Sequence, residues 1–167
     1  MNVAREQVAV AFYNLFNPAL LQNACSGSSG PFRAITRVWD VPQQAFGADQ
    51  LPALFCVEDN ENDTEANLPN GVWNQQVYVL KWRLAVFASM PSADSGIVPM
   101  SVLNPLLDAI DGTQGDGGMR AGTLPGQTQT LGGLVQNVFI DGNVIKGAGY
   151  LGQYVVGIIP VSIYTGI

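Results

Sequence analysis

The chain has 167 residues and a formal net charge of −6 at pH 7, with seven lysines and arginines and no histidine. So few, scattered cations argue against a general nucleic-acid binder, and the lack of histidine excludes Ser-His-Asp and Cys-His nucleophiles and histidine-based metal sites. Charged residues make up only 12% and hydrophobic residues 47%, so apolar surface is expected to remain after the core is filled, which favours an oligomer.

The length predicts a single domain over residues 1–167. The first 16 residues mix charged and apolar side chains, unlike a secretory signal, and no stretch reaches the roughly 18 apolar residues of a membrane span. We therefore expect a protein made in the cytoplasm with no membrane partner. In that compartment the two cysteines, Cys25 and Cys56, are expected to remain free thiols.

The first predicted element is an amphipathic helix near the amino end. Val8, Phe12, Leu15 and Phe16 recur at i, i+4, i+7 and i+8, which places them on one face of a helix. Two strands are predicted next, over 32–39 from its alternation and over 51–57 from its nearly continuous apolar run.

Residues 58–70 form an acidic segment that predicts a mobile, solvated loop. Its alternating carboxylates resemble the start of a calcium loop, but Thr64 and Asn70 stand where that loop needs glycine and glutamate, so we predict no metal site. The carboxylates are instead candidates for a surface that faces a channel or a partner: Glu58, Asp59, Glu61, Asp63 and Glu65.

A third strand is predicted over 72–88, from alternation that continues for longer than in most globular domains. Such a strand is expected to project beyond its own sheet and to be covered by another subunit, since a long open edge invites aggregation. The candidates for this subunit contact are Trp73, Tyr78 and Trp82, although a place in the core would also suit the tryptophans.

The second half of the chain predicts one helix and two strands. Leu103, Leu106, Leu107 and Ile110 share one face of a helix over 100–111, and the six glycines of 112–129 predict a mobile loop near 112–130. Apolar runs beginning at 131 and at 154 predict two neighbouring antiparallel strands, with a turn signal at Asp141-Gly142.

A glycine-spaced connector separates these two strands. Residues 147–152 match G-x-G-x-x-G, but a strand-like run follows where a dinucleotide site needs a helix, so no cofactor is expected. The order of elements predicts an α+β fold, with a mainly antiparallel sheet of about five strands and two helices on one face. No catalytic residues are predicted.

Four segments, in this order, resemble a known family: 102–110 (VLNPLLDAI), 129–135 (QTLGGLV), 140–142 (IDG) and 151–163 (LGQYVVGIIPVSI). The chain resembles the tail-terminator, or tail-completion, proteins of long-tailed bacteriophages. The likeness covers about half of the chain, and the order of the segments carries it.

The resemblance implies a virion subunit without catalytic activity, at the head-proximal end of the tail. Such a subunit forms a ring, expected to be a hexamer, that ends polymerisation of the tail tube protein and presents a surface to the head-tail connector protein. DNA is expected to pass through the ring without specific binding, because the chain offers no continuous positive lining.

Two alternatives remain open at this stage. Another ring-forming neck or tail-tube protein would also assemble into rings. A bacterial α+β ligand-binding or enzymatic domain would instead use the acidic segment 58–65 on a metal or cationic substrate, and would be a stable monomer.

Overall fold

The computed structural model describes residues 4–16, 32, 34–37, 51–59, 64–67, 76–112, 118–148 and 153–165. The fold is α+β, as predicted. Its helices are α1 (Arg5–Asn14) and α2 (Pro99–Asp111), with a short 3₁₀ turn at Ala93–Ser95. Its strands are β1 (Ala34–Thr36), β2 (Ala53–Glu58), β3 (Thr64–Asn67), β4 (Gln76–Ser89), β5 (Asn137–Ile140), β6 (Ile145–Ala148) and β7 (Tyr154–Thr165).

The seven strands occupy five positions in one sheet. β2 and β3 follow one another along one side of β4, and β7 pairs with the other side. In the same way, β5 and β6 follow one another along the free side of β7. The predicted number of about five strands therefore matches the five positions, and only β1 with β2 is a parallel pair.

β4 is the central strand, and its described residues do not project from the sheet, which corrects the prediction made from its length. The predicted start of this strand, 72–75, lies outside the described residues. It has 14 residues, and twelve of them, Tyr78 to Ser89, pair with β7. On its other side, β3 pairs at 76–79 and β2 at 82–87. The strand is long because it pairs with two successive strands, so its length gives no argument for an open edge.

Both helices pack on one face of the sheet. Every predicted apolar residue of α1 and of the turn after it is buried, as are the four of α2. The α1 ring of Phe12 meets Trp82 of β4 edge-on, with 5.1 Å between ring centroids. α2 lies so close to β7 that a Cβ atom on Gly157 would come within 3.1 Å of the Leu103 and Leu107 methyl groups.

The opposite face of the sheet carries a second, smaller apolar cluster. One buried member, Leu51, lies just before β2. The others come from β2, β4 and β7: Ala53, Phe55, Ala85, Phe87 and Val156. Cys56 points to the helix face, where it is a free, buried thiol and burial raises its pKa to about 12. Cys25 lies outside the described residues.

Two further sequence predictions need correction. The loop predicted over 58–70 contains β3, because the backbone at Thr64–Asn67 pairs with β4. The strand predicted from 131 begins at Asn137, because Leu131, Gly132 and Gly133 all have positive φ and form turns.

The predicted mobility of the glycine-rich loop stays a prediction, and its described part contains neither a helix nor a strand. Residues 113–117 lie outside the described residues, but 118–130 form a series of hydrogen-bonded turns. Gln129 is buried there, and its side-chain amide donates to the carbonyls of Met119 and Ala121 at 3.1 and 2.8 Å. These turns pack against the rest of the chain.

Candidate functional site

The most distinctive surface is the sheet edge formed by β5, residues 141–144 and β6, which we call the interrupted edge. Ile140 pairs with Val161 of β7, and Ile145 pairs with Ile158. Four residues of the edge therefore lie opposite two residues of β7, an enlarged form of the β-bulge. Asp141 and Gly142, predicted as a turn, lie in this bulge.

A three-residue polar cluster holds the bulge on the sheet. Lys81 of β4 and Ser162 of β7 are cross-strand partners on the face opposite the helices. The Lys81 ammonium forms an ion pair with Asp141 and donates to Ser162 Oγ at 2.7 Å, and the Ser162 hydroxyl donates to Asp141 Oδ2 at 2.6 Å. The Asp141 amide also donates to the Pro160 carbonyl at 3.0 Å.

This cluster contains the residue types of a serine–lysine nucleophile, but its geometry does not suit that chemistry. A nucleophilic serine needs a neutral base and access to a substrate. Ser162 is 0% exposed and its hydroxyl donates to a carboxylate, while the Lys81 ammonium forms an ion pair with Asp141. We interpret the cluster as the support of the bulge.

The interrupted edge exposes apolar side chains. They are Ile140 at 37%, Val144 at 36% and Ile145 at 61% exposure. Beside them, Lys146 donates to the amide oxygen of Asn104 on α2 at 2.9 Å. A bulge and a lysine are common protections of an open sheet edge, whereas adjacent exposed apolar residues are typical of a contact surface.

Two of the acidic candidates, Glu58 and Asp59, lie near the opposite edge of the sheet. Arg37 joins Glu6 of α1 and Glu58 of β2, with 2.9 Å between the charged atoms in each ion pair. Hydrogen bonds from Arg37 lower the pKa of Glu6. Asp59 pairs with Arg83 at 2.6 Å. The first two carboxylates of the acidic segment are therefore paired with arginines from other parts of the chain.

The remaining predicted site residues divide into three groups. Trp82 is 2% exposed in the core, so its side chain is not available to a neighbouring subunit in this structure. Tyr78 and Glu65 have described backbones, in β4 and β3, but their side chains lie outside the description. Trp73, Glu61 and Asp63 lie outside the described residues altogether.

Two other kinds of site are absent from the described part of the chain. Among the described residues, no group of three or more His, Cys, Asp or Glu side chains is placed to hold a metal ion. No helix in the described part of the chain has the length and apolar character that crossing a membrane requires.

No protein-family model matches this chain, and neither does any curated protein.

We expect Asp141→Asn to lower the free energy of unfolding by about 0.5–1.5 kcal/mol at pH 7, since a solvent-exposed charged contact contributes little. Hydrogen bonds from Lys81 and then Ser162 lower the pKa of Asp141 from its ordinary 3.8. A carboxyl with a lowered pKa contributes stability at neutral pH and loses that contribution as the pH falls through the folded pKa. The difference between variant and wild type should therefore shrink below pH 3.8.

Urea unfolding at several pH values measures this difference, and Asp94→Asn is the matched control. Asp94 is an exposed carboxylate in the 3₁₀ turn and has no ion pair with any described residue. If the two variants lose equal stability at pH 7, the cluster does not support the bulge.

Proposed function

We propose that this chain is the tail-terminator subunit of a long-tailed bacteriophage. Six copies would form a ring on the head-proximal end of the tail tube, end its polymerisation and offer a surface to the head-tail connector. The ring acts by shape and contact, with no catalytic step.

The observation that carries this proposal is the spatial arrangement of the four segments that resemble the family. The helix at 102–110 packs on β7, and the turn at 129–135 leads into β5, whose Val138 amide donates to the Gln129 carbonyl at 3.0 Å. The bulge at 140–142 is held on β7 through Pro160 and Ser162. The resemblance therefore falls on one contiguous part of the molecule.

The interrupted edge gives independent support for a subunit that assembles. A chain with 12% charged residues, whose sheet edge exposes the consecutive apolar residues Val144 and Ile145, favours an oligomer. The enzymatic alternative loses support at the acidic segment, because Glu58 and Asp59 are neutralised by Arg37 and Arg83.

The proposal predicts the mass of the native assembly. We expect native mass spectrometry to give a closed ring of six 17.7 kDa subunits. A monomer at every soluble concentration would contradict the ring and favour the ligand-binding alternative. Negative-stain images separate the nearer alternative, because a terminator should form single rings and a tube protein should grow into open tubes.

Duplex DNA binding tests the channel. Arg37, Lys81, Arg83 and Arg120 each form an ion pair with a carboxylate, so these cations are already partly neutralised. We therefore expect the assembled ring to bind duplex DNA weakly even at about 50 mM salt, where phosphate contacts are strongest. Tight, salt-sensitive binding would favour a neck protein that clamps DNA.

A further inference from the structure

We infer that the subunits join edge to edge, with β6 of one copy beside β1 of the next copy. This inference rests on the proposed ring and adds to it the surfaces that meet. In the described part of the chain, β6 pairs with β7 alone and β1 with β2 alone, so each has a side without a strand partner. The Ile35 carbonyl of β1 also accepts a hydrogen bond from the Tyr13 hydroxyl at 3.1 Å.

β1 and β6 lie at the same level along the strand direction of the sheet. Ile35 of β1 pairs with Leu54, Leu54 with Val86, Val86 with Gly157 and Gly157 with Lys146 of β6. Corresponding rows connect Ala34 with Gly147 and Thr36 with Ile145 through the same strands. A neighbouring copy can therefore continue these rows without moving along the strand direction.

The strand directions also suit this contact. β1 is parallel to β2, while each step from β2 through β4 and β7 to β6 is antiparallel, so β1 and β6 run in opposite directions. A rotation about an axis that follows the strands keeps their directions. In a head-to-tail ring, β6 of one copy and β1 of the next would thus be antiparallel, which is the pairing that an open edge accepts.

Side chains at the edge add apolar area to this backbone contact. Ile145 is 61% exposed at one end of β6, on the face opposite the helices, and the exposed Val144 precedes it. Ile140 lies on the helix face, because it pairs with Val161. The bulge at 141–144 interrupts the ladder, so only the short segment 145–148 is free to pair. Since both helices lie on one face of the sheet, this contact would place all helices on the same wall of the ring.

The decisive variant is Ile145→Asp, with Leu124→Asp as the matched control. Leu124 is similarly apolar and 67% exposed, but it lies in the turns before β5 and away from the sheet edge. We expect Ile145→Asp to weaken assembly ~10-fold or more, the effect of a loss of about 1.4 kcal/mol per contact, and Leu124→Asp to leave the ring intact. Native mass spectrometry across a dilution series measures both.

Each outcome has a distinct meaning. If the Ile145→Asp variant forms the same ring as the wild type, the edge contact is wrong. The proposed function would still stand, because the ring would then use another surface. A wild-type monomer overturns both. A wild-type dimer that Ile145→Asp dissociates contradicts the head-to-tail ring and indicates that two copies of β6 meet across a twofold axis.

Hydrogen exchange on the wild-type protein tests the same contact without a substitution. Amides of residues 34–36 and 145–148 should both exchange more slowly in the assembly than in the diluted monomer. Slower exchange at 145–148 alone would contradict the contact with β1.

Discussion

Replacing Trp82 with alanine is expected to lower the free energy of unfolding by about 3–5 kcal/mol, the usual range for removing a large aromatic side chain from a core. Trp82 is 2% exposed and meets Phe12 of α1 edge-on. The guanidinium carbon of Arg37 lies 5.9 Å from the centre of its ring. The substitution therefore removes contacts that join α1 and the Arg37 ion pairs to the central strand.

Urea unfolding of the dissociated protein measures this effect, with Leu124→Ala as the control. Leu124 is 67% exposed, so its truncation should change stability by no more than about 0.5 kcal/mol. A tryptophan whose role lay in subunit contact would behave differently, since its loss would weaken assembly and leave the unfolding of the monomer unchanged. That result would contradict the core position of Trp82.

The helices could be predicted from the sequence because their signal is local. Val8 and Phe12 lie one turn apart, as do Leu103 and Leu107, and a helix buries such pairs on whichever face meets the sheet. The alternation of β4 and β7 likewise depends only on neighbouring residues. Alternation does not indicate how many partner strands a strand has. The length of β4 therefore suggested that it projects from the sheet, whereas two strands pair in succession along one of its sides.

The polar cluster that holds the bulge of the interrupted edge could not be predicted from local sequence patterns. Lys81 lies 60 positions from Asp141 and 81 from Ser162 in sequence, and Asp141 lies 21 positions from Ser162. Only the pairing of three strands brings them together. Lys81 alone carried a weak signal, as a charged residue within a strand of mostly apolar residues. Asp141 was recognised as a turn residue, and its carboxylate role depends entirely on its partners.

The path of the glycine-rich loop could not be predicted, because glycine has two structural uses. A run of glycines can indicate flexibility, but it also permits positive φ angles that other residues adopt at a cost. Gly118, Gly122 and Gly126 all have positive φ in the turns that Gln129 holds together. Sequence composition alone does not distinguish these two uses.

Gly118 joins the carboxyl-terminal ends of both helices. Its amide donates to the Leu15 carbonyl, just after α1, at 3.0 Å, and the amide of Met119 donates to the Ile110 carbonyl in α2 at 2.8 Å. These bonds satisfy carbonyls that the helices themselves leave without partners. A side chain at position 118 would disturb both helix ends at once.

Gly118→Ala is therefore expected to lower the free energy of unfolding by about 2–4 kcal/mol. Its φ of +82° disfavours alanine by about 1–2 kcal/mol. The new Cβ atom would also lie 2.5 Å from the Ile110 oxygen and 2.7 Å from the Ala109 oxygen, both backbone atoms that can move only if α2 moves. Thermal and urea unfolding at pH 7 measure the loss.

Gly122→Ala separates the two causes, because Gly122 has a similar φ of +71° and no atom within 4 Å of the added Cβ. It should show the conformational penalty alone, about 1–2 kcal/mol, so the difference between the variants measures the steric conflict with α2. Equal losses at the two positions would contradict the close approach of Gly118 to the helix. A larger loss at Gly118 would show that the turn beginning at Gly118 packs tightly against the carboxyl-terminal end of α2.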